Sequence, residues 1–236
     1  MVRGRLVVFE GVEGAGKSTQ LDRLQGLLVR AGVSHRAFRE PGGTPLGDEI
    51  RRVLLDPASR MTARAEALLF MASRAELVGR EVRPALAAGH VVLLDRFFLS
   101  TYAYQVGGRG LPAADVEAAN FVATEGLVPD LTLLLTLGAG EGLARASRRG
   151  VRDRMEQADD AFHAAVEGAF AEFATAGWQR AHAECGPIVA VDATGSATDV
   201  ESRVLDAVMG QFAELQSMAA LRARSSELHS SIGAVA

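Results

Sequence analysis

The chain has 236 residues, a formal net charge of −4, one cysteine, and twenty-four arginines against one lysine. That length suffices for one substantial α/β core, and the slight acidity argues against the overall basic field of a protein that grips nucleic acid polymers. The lone Cys185 excludes an internal disulfide or a cysteine-rich zinc site and fits a reducing cytoplasm, and the longest apolar runs are strand-sized, so neither an export signal nor a membrane span is expected.

The first expected element is a strand over Leu6–Phe9, which runs into GVEGAGKST, Gly11 to Thr19. Gly11, Gly16, Lys17 and Ser18 fill the pattern G-x-x-x-x-G-K-[ST], and a helical pattern over Lys17–Ala31 follows directly. Strand, loop and helix therefore arrive in the order of a phosphate-binding loop. A bias toward arginine codons accounts for the lysine count, but not for where the one lysine falls. In such a loop the segment Gly11, Val12, Glu13, Gly14, Ala15, Gly16, Lys17, Ser18 and Thr19 wraps backbone N–H groups around phosphate oxygens, and the compact lysine ammonium reaches the terminal phosphates.

A second strand over His35–Phe38 leads into Arg39-Glu40-Pro41-Gly42-Gly43-Thr44-Pro45, where Pro-Gly-Gly forces a turn and Pro45 is placed to open a helix reading Leu46–Leu55. Glu40 then lines a cleft at the carboxyl end of the sheet, where open α/β sheets bind ligands. One long helix is expected over Thr62–Ala88, bent at Pro84. Phe70 and Arg74, four apart, share a face of it and offer a flat stacking surface beside a forked donor. The third strand, Val91–Leu94, ends in Asp95-Arg96, with the carboxylate in reach of a metal held by Ser18.

Helices over Ser100–Gln105 and Pro112–Thr124, a strand over Leu131–Leu137 and a helix over Gly140–Arg149 come next. Arg145, Arg148, Arg149, Arg152 and Arg154 crowd a segment broken by Gly150, which reads as a hinged, arginine-rich lid over about 145–157 that can neutralise phosphoryl charge and exclude water. A helix over Asp159–His182, a strand over Ile188–Val191 and a helix over Ala197–Gln216 complete the pattern. Strands alternating with helices predict a three-layer αβα domain with a five-stranded parallel sheet spanning 1–215, followed by a flexible tail at 216–236.

With these pieces in chain order, the sequence resembles the bacterial thymidylate kinases, a branch of the P-loop nucleoside monophosphate kinases. The resemblance covers about Leu6 to Leu215 and is carried by FEGVEGAGKST, REPGGT, GDEIRRVLLD, LLFMASR, LLDRF, STYAYQVGGRG, GLVPDLTLLL and RDRMEQ. It implies a sheet ordered 2-3-1-4-5, a homodimer, and transfer of the γ-phosphoryl of MgATP to dTMP for dTTP synthesis, with no nucleic acid polymer or membrane as partner. A kinase for another monophosphate such as dUMP is the alternative on the same scaffold.

The same resemblance implies residue roles. Glu13 meets the 3′-hydroxyl of dTMP, Phe70 stacks on thymine, Arg74 donates to its O4, and Thr101 and Gln105 hydrogen-bond the polar edge of the base. Tyr104 crowds the ribose 2′ position. Arg39, Glu40, Arg51 and Arg96 line the acceptor side, with Arg51 and Arg96 on the phosphate, while Ser18 and, through water, Asp95 hold Mg²⁺. Relatives without an arginine after the acidic P-loop residue carry the catalytic arginine in the lid. Gly14 occupies that position here, so Arg149 is the first expectation and Arg154 the second.

Overall fold

The computed structural model describes residues 3–138, 141–142 and 153–212. Its centre is a five-stranded parallel sheet ordered β2-β3-β1-β4-β5, made of β1 (Leu6–Gly11), β2 (His35–Arg39), β3 (Val91–Asp95), β4 (Leu131–Thr136) and β5 (Ile188–Asp192). The strand order is the one the resemblance implied. β1 lies between β3 and β4, with Phe9 opposite both Asp95 and Leu133, so the loops after β1 and β3 leave the sheet side by side.

Side chains alternate across a strand, so β1 feeds two cores. Leu6 and Val8 join Val92, Leu94, Phe97 and Phe98 on one face, and Val7 and Phe9 join Leu24, Leu28, Leu93 and Leu133 on the other. The alternation carries Glu10 onto the first face, where it is fully buried. α1 (Lys17–Arg30) covers the second face.

α2 (Pro45–Leu55) begins as expected with proline in its first turn, and Thr44 caps it by accepting from Gly47 N at 3.0 Å. The long helix expected over Thr62–Ala88 is instead α3 (Ala63–Leu77), a π-helical turn (Val78–Val82) and α4 (Arg83–Ala87). Pro84 has no N–H, and just before it the Arg83 N–H reaches back five residues to Val78 O, the π-type bond that absorbs the missing donor.

The helix expected at Ser100–Gln105 is longer: α5 (Phe98–Thr101) continues as a π-helical segment (Tyr102–Gly108). α6 is Ala113–Thr124. The single helix expected over Asp159–His182 is broken into α7 (Asp160–Phe173) and α8 (Ala176–Ala181), because Thr175 turns extended and its hydroxyl caps Trp178 N. The last helix, α9 (Ala197–Gln211), ends at Phe212, and the expectation for 213–216 and the tail lies outside the described residues. So does most of the helix expected at Gly140–Arg149. No described helix is long and apolar enough to cross a membrane.

Candidate active site

The loop after β1 is shaped by its glycines. Gly14 and Gly16 take left-handed backbone at φ 75° and 89°, and Gly16 stands at the head of α1 with no side chain capping that helix. The first N–H groups of α1 are thus left for an anion. A Cβ on Gly14 would lie 2.1 Å from the carbonyl oxygen of Gly142, and one on Gly142 would lie 2.4 Å from that of Glu13. This contact between backbones gives a physical reason why no arginine stands at position 14.

Lys17 folds back over the loop. Its Nζ donates to Gly11 O at 2.9 Å and Val12 O at 2.8 Å, and burial, assisted by nearby Arg96, brings its pKa down to about 8 against the pull of Glu13 and Asp95. A buried ammonium that donates to two carbonyls and whose charge burial disfavours is prepared for a polyanion.

Ser18 Oγ donates to Asp95 Oδ2 at 2.7 Å, tying the head of α1 to the tip of β3. No cluster of three or more His, Cys, Asp or Glu that could hold a metal occurs among the described residues. One hydroxyl and one carboxylate, both hard oxygen donors, nevertheless suit Mg²⁺, which keeps several waters and takes its remaining ligands from substrate phosphates.

Arg96 follows Asp95 with a positive φ of 71°, uncommon for a residue with a Cβ. Its side chain is held by Nη2 on Glu13 Oε2 at 2.8 Å, Nη1 on Ser100 Oγ at 2.9 Å and on Gly11 O at 3.5 Å, and the guanidinium 5.5 Å from the Tyr104 ring centre. Burial works against its charge, yet Tyr104, Glu13, Asp95 and Glu10 keep its pKa above the ordinary arginine value. Arg51, whose Nη1 donates to Pro41 O at 2.9 Å, is pulled the other way by burial and then by Arg39 and Arg96. Arg51 thus stands beside two further guanidiniums, a cluster of a kind that can accept a phosphate dianion.

A cleft of about 350 Å³ is lined by Lys17, Ser18 and Asp95 and also by Phe70, Arg74, Thr101, Tyr104 and Gln105. Arg39, Glu40, Arg51 and Arg96 line it as well. Arg74 is buried, with Nε and Nη2 on Glu40 Oε2 at 2.8 and 2.6 Å, Nη2 on Phe97 O at 2.9 Å, and Nη1 on Asn120 Oδ1. These contacts engage four of the five N–H groups a guanidinium owns and leave one on Nη1. Burial lifts the Glu40 carboxyl above the ordinary glutamate value, with Arg74 opposing.

The thymidylate kinase family profile matches residues 9–200. The chain belongs to the thymidylate kinase family. Among its relatives, the thymidylate kinase of Deinococcus radiodurans is 45% identical over 208 residues, covering 88% of this chain and 98% of that protein. The thymidylate kinase of Pseudomonas syringae pv. syringae is 44% identical over 214 residues, covering 90% and 98%. A crystal structure of thymidylate kinase from Ehrlichia chaffeensis superposes with a TM-score of 0.67 at 26% identity, covering 88% of this chain and 99% of that one.

In this chain the arginines of the expected lid part company. Arg149 lies outside the described residues, as do Arg145, Arg148 and Arg152. Arg154 does not line the cleft: its Nη1 meets Glu66 Oε2 at 2.6 Å, its Nε meets Leu54 O at 2.7 Å, and its Nη2 lies 3.5 Å from Met155 Sδ. The P-loop residues Gly11, Val12 and Ala15 also sit behind the cleft wall rather than on it.

Several residues of this kinase escaped the reading of the sequence. Glu10 accepts from Phe97 N at 2.7 Å, Ser100 N at 3.1 Å and Ser100 Oγ at 2.6 Å, so it braces the turn that carries Arg96. Asn120 braces Arg74. Glu66, almost fully buried, takes Gln105 Nε2 at 3.1 Å, Arg109 Nε at 3.0 Å and Arg154 Nη1 at 2.6 Å. An acid inside the apolar strand Leu6–Gly11 was the one available signal for Glu10.

Proposed function

We infer that this chain transfers the γ-phosphoryl group of ATP to dTMP, giving ADP and dTDP. The observation that supports the reading is one cleft lined by Lys17 and Ser18 together with Arg96, Phe70 and Arg74. A triphosphate held by the loop and a monophosphate held by the guanidiniums meet there end to end.

In-line transfer follows. An oxygen of the dTMP phosphate forms a bond to the γ-phosphorus, the bond from that phosphorus to the β–γ bridging oxygen breaks, and ADP leaves with the electron pair. Lys17 and the N–H groups of Gly16–Thr19 hold the leaving β/γ oxygens, while Arg96, Arg51 and Arg39 offset repulsion between the two anions. Mg²⁺, when bound by Ser18 and, through water, by Asp95, supplies further neutralisation of the triphosphate. Phe70 offers its face and Arg74 its remaining N–H to thymine, Tyr104 crowds the 2′ position, and Arg149 is the lid arginine that completes the charge. Glu13, which holds Arg96 in the free chain, meets the 3′-hydroxyl.

No covalent enzyme intermediate is needed, because positioning and electrostatics supply most of the acceleration. A coupled ADP-release assay decides the reading. ADP formation that requires dTMP supports it, and ADP formation indifferent to dTMP, or a phospho-enzyme trapped in a chase, rejects it.

A partner and a location complete the proposal. Exposed Leu68 on α3 and Phe121 and Val122 on α6, helices that pack together, form an apolar surface suited to a second copy of the chain. The free, buried Cys185 agrees with work in the cytoplasm.

A further inference from the structure

Glu66 does not line the cleft, but Gln105, whose Nε2 donates to it at 3.1 Å, does. The Glu66 carboxylate receives the Arg109 and Arg154 guanidiniums together with the Gln105 amide, and only donors point at it. Burial acts to raise this carboxyl, but hydrogen bonds from Arg109 and Arg154 outweigh burial and hold it below the ordinary glutamate value, so it is ionised at neutral pH. An ionised carboxylate has only lone pairs to offer. Gln105 must therefore turn its NH₂ toward Glu66 and its Oε1 away, since a carbonyl set against the carboxylate would face like charge. Oε1 accepts no hydrogen bond from any described residue.

We propose that Glu66 is a specificity-positioning residue: it locks the Gln105 amide so that the cleft presents an acceptor at Oε1 next to the donor of Arg74. The inference rests on the dTMP kinase reading and deepens it. An acceptor beside a donor matches the imide edge of thymine or uracil, an N3–H next to a C4 carbonyl. It mismatches cytosine, whose N3 is a lone pair and whose C4 carries an amino donor. Selection against aminopyrimidines is thus set by a carboxylate that never touches the base. Arg109 and Arg154 contribute by keeping that carboxylate charged.

The test compares dTMP, dUMP and 5-methyl-dCMP, the last differing from dTMP only at this edge. A site built to bond one edge rejects the other by about 10⁴ in kcat/KM, and this is expected of the wild type. Glu66→Gln frees the Gln105 amide to rotate. The variant should lose about tenfold in dTMP-to-5-methyl-dCMP selectivity, through a raised KM for dTMP and dUMP alike, with kcat little changed; the isolated amide reversal is worth roughly one good hydrogen bond. Gln105→Met removes the amide while leaving the Glu66 charge pairs intact, and should cut selectivity at least as far, which keeps the test decisive if Glu66→Gln does not fold. A parallel loss on all three substrates with selectivity unchanged overturns the assignment. Wild-type protein without dTMP-dependent ADP release overturns the activity reading and this inference with it, and is distinguishable because it precedes any variant.

Discussion

Ser100 gives both its backbone N–H and its hydroxyl to Glu10, at 3.1 and 2.6 Å, while that same hydroxyl accepts from Arg96 Nη1 at 2.9 Å. One buried acid in β1 thereby steadies the turn in which Arg96 holds a positive φ. Glu10→Gln would set an NH₂ against donors. It should lose about 2 kcal/mol of stability, the cost of breaking a buried charge-assisted hydrogen bond, and weaken dTMP binding roughly tenfold. Chemical denaturation and the KM for dTMP check both parts.

Lys17, brought down to about 8 by burial, must carry its proton to grip the triphosphate. The sign follows directly. Below pH 8 the ammonium is present in the free protein; above it, each pH unit removes about tenfold of the competent form, so kcat/KM for ATP should fall with that slope. Bound phosphates raise the pKa, so kcat at saturating ATP should hold to higher pH. In Lys17→Arg the limb near pH 8 should vanish and turnover should fall steeply. Rate profiles from pH 6 to 10 measure this.

Arg149 and Arg154 should fail in different ways. Arg149→Ala is expected to cost on the order of 10³ in kcat, by analogy with arginine fingers, with dTMP affinity largely kept. Arg154→Ala strips one partner from Glu66 and a donor from Leu54 O, so its main loss should be about 2 kcal/mol of stability, short of a fully broken buried pair because Arg109 remains. Single-turnover rates and melting curves on the two variants separate the roles; full turnover in Arg149→Ala would reject the first.

Gly14→Ala places a methyl 2.1 Å from the Gly142 carbonyl at a left-handed φ. The loop must move, and kcat/KM for ATP should drop by more than tenfold with a stability loss of about 1–3 kcal/mol. Nucleotide-binding calorimetry and a melt report the two effects.

For the proposed docking of a second copy on α3 and α6, Leu68→Asp with Phe121→Asp should leave only monomer, because charge within an apolar interface is desolvated without a partner. Sedimentation velocity at micromolar protein reads the mass.

What was open to inspection before folding was whatever depends on neighbours along the chain. Short continuous apolar runs and period-3.6 patterns disclosed five strands and the helices between them, and the spacing from Gly11 to Ser18 disclosed the phosphate loop, since each is a local matter. Breaks inside helices were less legible: Thr175 caps a new helix where the apolar pattern continues, and the π-helical turn before Pro84 depends on Arg83 finding Val78 O. The meeting of Glu66 with Gln105, Arg109 and Arg154, 39 to 88 positions apart, had no local trace at all. Only packing three elements around one buried carboxylate makes that charge consequential, because desolvation forces every donor in reach to answer it.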